Sequence, residues 1–169
     1  MTTTVVVGNP RAASRTLDAA VLLATALTGN APPPDDVLDV ITIGPQLLTW
    51  GDPGVAAWVR RVSASDVVVV ASPTYKGTYC GVLKLFLDHV AGGTGLRDVV
   101  AVPLMLGAGP AHALAPELTL RPVLTELGAT TALPGLHLLD STYRESTDLT
   151  DYAARWSPTV TALTAGAAR

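Results

Sequence analysis

Cysteine, lysine and phenylalanine are nearly missing from this 169-residue chain. Its one cysteine, Cys80, excludes an intrachain disulfide and a cysteine-cluster metal site. A thiol-poor chain of this kind suits a reducing, cytoplasmic setting, which is the expectation. Charge is also sparse: charged residues make up 15%, and the formal net charge is −3. That balance offers no basic stripe for nucleic acid. It also lacks the strongly acidic face of a carrier that docks by charge. No apolar run is long enough to span a bilayer, so no membrane association is expected. Met1-Thr2-Thr3-Thr4 has neither the basic region nor the apolar run of a secretory leader. His89 and His137 stand apart from each other and from any Cys or Glu at ligand spacing, so no metal site is expected.

What the chain does have is apolar residues, 49% of the total, in a length suited to one domain over residues 1–169. They alternate between two kinds of segment. Short β-branched runs occur at Thr4–Gly8, Val37–Ile43, Val67–Ala71, Val99–Leu106 and, more weakly, Ala132–Leu139. Continuous runs of this length suit parallel strands buried on both faces. Longer Ala- and Leu-rich segments, at Ser14–Leu27, Gly54–Ser63, Gly77–Val90, Ala111–Leu127 and Thr150–Ala165, read as helices. The alternation predicts an α/β three-layer sandwich, with helices on both faces of a five-stranded parallel sheet. Its length matches the flavodoxin-like strand order 2-1-3-4-5. Ligands of such sheets bind beyond the carboxyl ends of the strands, here between strands one and three.

The loop after strand one reads Gly-Asn-Pro-Arg-Ala-Ala-Ser-Arg-Thr. A helix beginning near Ser14 presents unpaired N–H groups and the positive end of its dipole, which together make an anion site. Ser14 and Thr16 add hydroxyls, Asn9 an amide and Arg11 a charge-assisted contact. The residues equally suit an ordinary N-cap with solvated arginines; the position after strand one favours a phosphate. No Gly-Lys-Ser/Thr follows, so this is not a nucleotide-hydrolysing P-loop.

Both lysines, the cysteine and the phenylalanine crowd into Ser72–Phe86, after strand three. Ser72-Pro73-Thr74-Tyr75-Lys76 is expected to be a stiff loop, because Pro73 fixes its own φ and biases Ser72. Its backbone can read the edge of a heterocycle, Tyr75 can stack on or border a ring, and Lys76 can neutralise an anion. A plain strand-to-helix turn is the competing reading. Tyr79 falls early in the predicted helix, facing a subunit contact or the ligand. Cys80 reads as a small buried hydrophobe rather than an activated thiol. After strand four, Gly107-Ala108-Gly109 permits close approach to a ring. It lacks the third glycine of the dinucleotide fingerprint. His112 is a ligand contact, a proton donor or a helix-start residue. A phosphorylated flat heterocycle, flavin mononucleotide (FMN), fits all three loops.

The segments GNPRAASRT, SPTYKGTYCGVLKLFLD and GAGPAHALAPELTLRPVLTELGA resemble the NAD(P)H-dependent FMN reductase family. Within it they are most similar to the flavin reductases of two-component sulfonate monooxygenase systems. The resemblance runs from strand one to Leu127, and Asn9 stands where the family usually has serine. It implies hydride transfer from NADPH or NADH to FMN. It also implies a phosphate in the first loop, Pro73–Lys76 along the flavin and Gly107–Gly109 bordering the ring. It further implies a homodimer or homotetramer, with Tyr79 matched to a tyrosine in a π-helical irregularity at the tetramer interface. In such systems FMN leaves as a substrate for a flavin-dependent monooxygenase partner. Hydride transfer needs no acid–base residue, so no catalytic side chain is expected. An FMN-retaining quinone, azo or chromate reductase, a flavodoxin-like electron carrier and a non-catalytic FMN-binding module are the competing readings.

Overall fold

The computed structural model describes residues 1–166. Five parallel strands form the sheet, in the order β2-β1-β3-β5-β6. They are β1 (Thr3–Val7), β2 (Val37–Asp39), β3 (Val67–Tyr75), β5 (Val100–Gly107) and β6 (Leu136–Leu139). A two-residue strand, β4 (Thr78–Tyr79), pairs antiparallel with the end of β3 and lies off this path. Without that hairpin the order is the flavodoxin-like 2-1-3-4-5.

The strands are apolar through most of their length because both faces are covered. Val5 and Val7 point to one side, against helix α1 (Arg15–Thr28) and helix α5 (Asp148–Ala165). Val6, Val68 and Val70 point to the other, against α2 (Pro53–Ser63), α3 (Gly81–Leu87) and α4 (Arg121–Glu126). Helix α1 shows how local sequence sets an element. Ala19, Ala20, Leu23, Ala24 and Leu27 recur at helical spacing and are buried. Ser14 caps its start, and Gly29, at φ 76°, caps its end in the left-handed conformation.

Several elements differ from expectation. The second strand stops at Asp39 rather than Ile43; a 3₁₀ run containing Pro45 takes over from Val40 to Leu48. The third helix begins at Gly81 rather than Gly77, because Thr78 and Tyr79 are paired to β3. The fourth predicted helix, Ala111–Leu127, breaks into a 3₁₀ turn at Pro110–His112, a π-helical turn at Pro116–Leu120 and α4. Pro122 cannot donate a backbone hydrogen bond. In the π-helical turn the Arg121 amide instead bonds to the Pro116 carbonyl, five residues back.

Candidate functional site

The carboxyl ends of β1, β3 and β5 open onto one cavity of about 390 Å³. Gly8 ends β1 against α3; a Cβ built on it would stand 2.2 Å from the Leu83 Cβ, so only glycine fits. Asn9 then organises the loop from within. Its Oδ1 accepts the Arg11 amide at 2.9 Å, and its Nδ2 donates to Thr16 Oγ1 at 3.1 Å. Asn9 and Thr16 are both buried, so these two are scaffold as well as lining. Ser14 Oγ accepts from the Leu17 amide at 3.3 Å. Among the described residues, the amides of Ala12, Ser14, Arg15 and Thr16 meet no acceptor. Arg11 is exposed and makes no ion pair there. Arg15 donates to the Asp140 carbonyl at 3.1 Å and lies 3.5 Å from its carboxylate. First-turn amides beside a free guanidinium are an anion site.

The second wall is not the loop the sequence suggested. Strand β3 continues through Ser72, Pro73 and Thr74 to Tyr75 and turns back at Lys76-Gly77. Both turn residues have positive φ, 55° and 82°, which matches the twist of a tight hairpin. Ser72 is fully buried; its hydroxyl donates to the Pro73 carbonyl at 2.8 Å and accepts the Cys80 amide at 2.9 Å. It fastens the hairpin base and does not line the cavity. Pro73, Thr74 and Tyr75 do line it. Tyr75 is 49% exposed, and Thr74 Oγ1 is buried without a partner among the described residues. Lys76, at the hairpin tip, lies outside the cavity lining. Cys80 is buried, with Sγ donating to the Gly8 carbonyl at 2.9 Å, in keeping with a packing role.

From β5, Leu106, Gly107 and Ala108 close the third side; Gly109 and His112 do not. Gly107 faces His137, whose buried Nε2 has no partner among the described residues. Burial and the nearby His112 hold the His137 imidazole below its ordinary pKa. His112 lines a separate cavity of about 400 Å³ with Gly77, Pro110 and Leu118. Tyr79 is not in a helix, and the π-helical turn at Pro116–Leu120 carries no tyrosine. The β4 hairpin does pack against that turn. The two features that the resemblance joined in one residue therefore belong to neighbouring segments.

The expected residues Asn9, Arg11, Ser14, Thr16, Pro73, Thr74, Tyr75, Gly107 and Ala108 meet at one site. Besides Ala12, Ala13 and Leu106, which line it, three charged contributors were not expected. Arg15 and Asp140 line the cavity, and Asp39 braces its loop from behind, accepting the Ala13 amide at 2.9 Å. Asp140 directly follows an apolar strand run, and Asp39 is the one charged residue inside the run Val37–Ile43; those were the sequence signals that marked them. Among the described residues, no group of His, Cys, Asp and Glu is placed to hold a metal ion. No helix among them is long and apolar enough to cross a membrane.

The family model described as NADPH-dependent FMN reductase matches residues 1–143. The chain belongs to this family. An Escherichia coli K12 FMN reductase (NADPH) is 36% identical over 89 residues, 53% of this chain and 46% of that protein. A Pseudomonas putida FMN reductase (NADPH) is 34% identical over 97 residues, 56% of this chain and 49% of that protein. The chain spans about half the length of these two relatives. The NADH-dependent FMN reductase SfnF of Pseudomonas fluorescens Pf0-1 is 28% identical over 153 residues, 86% of this chain and 76% of that protein. Among solved structures, an apo NADH:FMN oxidoreductase (EMOB) superposes with a TM-score of 0.77 at 25% identity, covering 98% of this chain and 89% of that one. An archaeal flavodoxin, at TM-score 0.62 and 12% identity over 96% of this chain and 99% of that one, shares the fold.

For a member of the FMN reductase family, the donor set fits the cofactor. Free first-turn amides and Arg11 suit a phosphate. Thr74 lines the same space, while its own Oγ1 is buried without a partner among the described residues. Gly107 and Ala108 border the same space.

Proposed function

We propose that this protein is an NAD(P)H:FMN oxidoreductase that reduces FMN with NADPH or NADH. The observation that carries the reading is the loop after β1: free amides at Ala12, Ser14, Arg15 and Thr16 converge with an unpaired Arg11 at the β1/β3 switch point. Bound FMN would supply a ring that accepts hydride from reduced nicotinamide. Arg11 and the first turn of α1 hold the phosphate and offset its charge. Pro73 and Tyr75 form a rigid wall for the ring. The Ala108 amide, with no acceptor among the described residues, is available to its edge. The chain's part in rate is orientation of two rings, so no side chain serves as acid or base.

Release of the reduced flavin to a monooxygenase partner is the finer form of this proposal, and a reducing cytoplasm is the setting it implies. The half-exposed Tyr75 supports an exchangeable flavin. A homodimer or homotetramer belongs to the same reading. Leu114 and Leu118, 65% and 68% exposed, lie just before and within the π-helical turn on which the Tyr79 hairpin packs. Such an apolar pair beside a binding loop suits a subunit contact. Titration with FMN and with riboflavin tests the core proposal. A clear preference for FMN supports it; equal affinities contradict a phosphate site in the first loop.

A further inference from the structure

Asp39 is the last residue of β2, in parallel register with Val7 at the end of β1. That register sets its side chain behind the loop at residues 9–16. Its Oδ2 accepts the amide of Ala13 at 2.9 Å. Ala13 is a non-glycine residue in the left-handed region, φ 50°, a conformation that is unfavourable without support. The bond to Asp39 holds it there and turns the flanking amides of Ala12 and Ser14 free of internal partners.

The other carboxylate oxygen, Oδ1, is buried without a partner among the described residues. The Ile41 amide approaches the carboxylate without meeting hydrogen-bond geometry. Burial pushes the Asp39 carboxyl above its ordinary pKa, against the opposing backbone amides of Ala13 and Ile41. No arginine or lysine among the described residues pairs with it. A loop that gathers donors for an anion thus carries a half-buried carboxylate on its far side, bonded to its backbone at Ala13. A neutral residue able to accept one hydrogen bond would organise Ala13 equally well and would not repel a phosphate.

We propose that Asp39 is a positioning residue that sets how tightly the loop grips a phosphate monoester: it fixes Ala13, and its charge weakens the grip so that the ligand exchanges. This rests on the reading of the loop as the phosphate site of FMN. The chemistry it governs is the dianionic end of the ligand, not the ring.

The test compares the full-length protein with Asp39→Asn and Asp39→Ala at pH 8. Dissociation constants for FMN and riboflavin come from flavin fluorescence, and thermal shifts are measured with inorganic phosphate. Asparagine keeps an acceptor for Ala13 and drops the charge. Asp39→Asn is expected to bind FMN roughly tenfold tighter than wild type, with riboflavin changed by less than about twofold. Asp39→Ala, lacking the acceptor too, is expected to bind FMN roughly tenfold more weakly than Asp39→Asn, again with riboflavin unchanged. FMN affinity in Asp39→Asn equal to or below wild type overturns the proposal. So does a parallel change in riboflavin. If wild type binds neither flavin, yet phosphate raises the melting temperature more in Asp39→Asn than in wild type, the FMN reading falls and the role of Asp39 stands. No phosphate response in any of the three proteins, with no flavin binding, overturns both.

Discussion

Asn9 and Thr16 are tied across the base of the loop after β1, with Asn9 Nδ2 donating to Thr16 Oγ1 at 3.1 Å. Both are buried, Thr16 to 2% exposure. Asn9→Ala leaves the Thr16 hydroxyl and the Arg11 amide without their partner. The expected cost is about 1–3 kcal/mol of stability, read by urea denaturation, together with weaker FMN binding. A fully stable variant with unchanged binding counts against this scaffold.

Arg11 makes no ion pair among the described residues and is exposed at the cavity. Arg11→Ala is expected to weaken FMN binding by roughly tenfold to a hundredfold, the worth of a hydrogen bond to a charged group. Riboflavin binding and melting temperature stay near wild type. Equal loss for both flavins rules out a phosphate contact at Arg11.

Two glycines are expected to differ sharply when changed to alanine. A Cβ on Gly8 would stand 2.2 Å from the Leu83 Cβ, on a helix that cannot step aside. Gly8→Ala should cost about 3 kcal/mol or more, or prevent folding. A Cβ on Gly107 would stand 2.6 Å from His137 Nε2, the tip of a side chain. Gly107→Ala is expected to be milder, and His137→Ala should restore part of its loss in a double-mutant cycle. Simple additivity of the two would deny the contact.

Lys76 sits at the hairpin tip with φ 55°. Lys76→Gly is expected to raise stability by about 1 kcal/mol by removing left-handed strain. Flavin affinity should stay within about twofold, since Lys76 does not line the cavity. A large fall in FMN affinity would return Lys76 to the site.

Glu117 fastens the π-helical turn to the segment before β6. Its Oε2 accepts the Gly135 amide at 2.8 Å, and Oε1 pairs with Arg121. The Gly135 amide above all, with Arg121, holds the Glu117 carboxyl below its usual range against an opposing effect of burial. A carboxyl lowered in the folded state stabilises the protein above its unfolded value, about pH 4.3. That contribution is lost as pH falls through the folded value. Glu117→Gln should therefore narrow the stability difference between pH 7 and pH 3 relative to wild type. An unchanged pH profile contradicts the assignment.

Much of this architecture was legible because it rests on local patterns. Val67–Ala71 and Val99–Leu106 are β-branched runs that only a doubly covered sheet accommodates, and both are central strands. The segments that misled are apolar ones interrupted by proline. Ile41 and Ile43 look like strand, but Pro45 follows them in a 3₁₀ run. Ala111–Leu127 looks like one helix, but Pro110, Pro116 and Pro122 break its hydrogen-bond ladder. The site was readable where it follows from topology, at Asn9–Thr16, Pro73–Tyr75 and Gly107–Ala108. It was not readable where a side chain's partner is remote. Ser72 is taken by the Cys80 amide, Asp39 reaches Ala13, and Arg15 reaches Asp140.

NADPH and NADH oxidation by the purified protein, with and without added FMN, tests the central claim most directly. The account predicts a colourless protein whose nicotinamide oxidation depends strongly on added FMN. A yellow protein that oxidises nicotinamide only with a quinone or dye would contradict release of FMN. No oxidation under either condition would contradict the reductase itself.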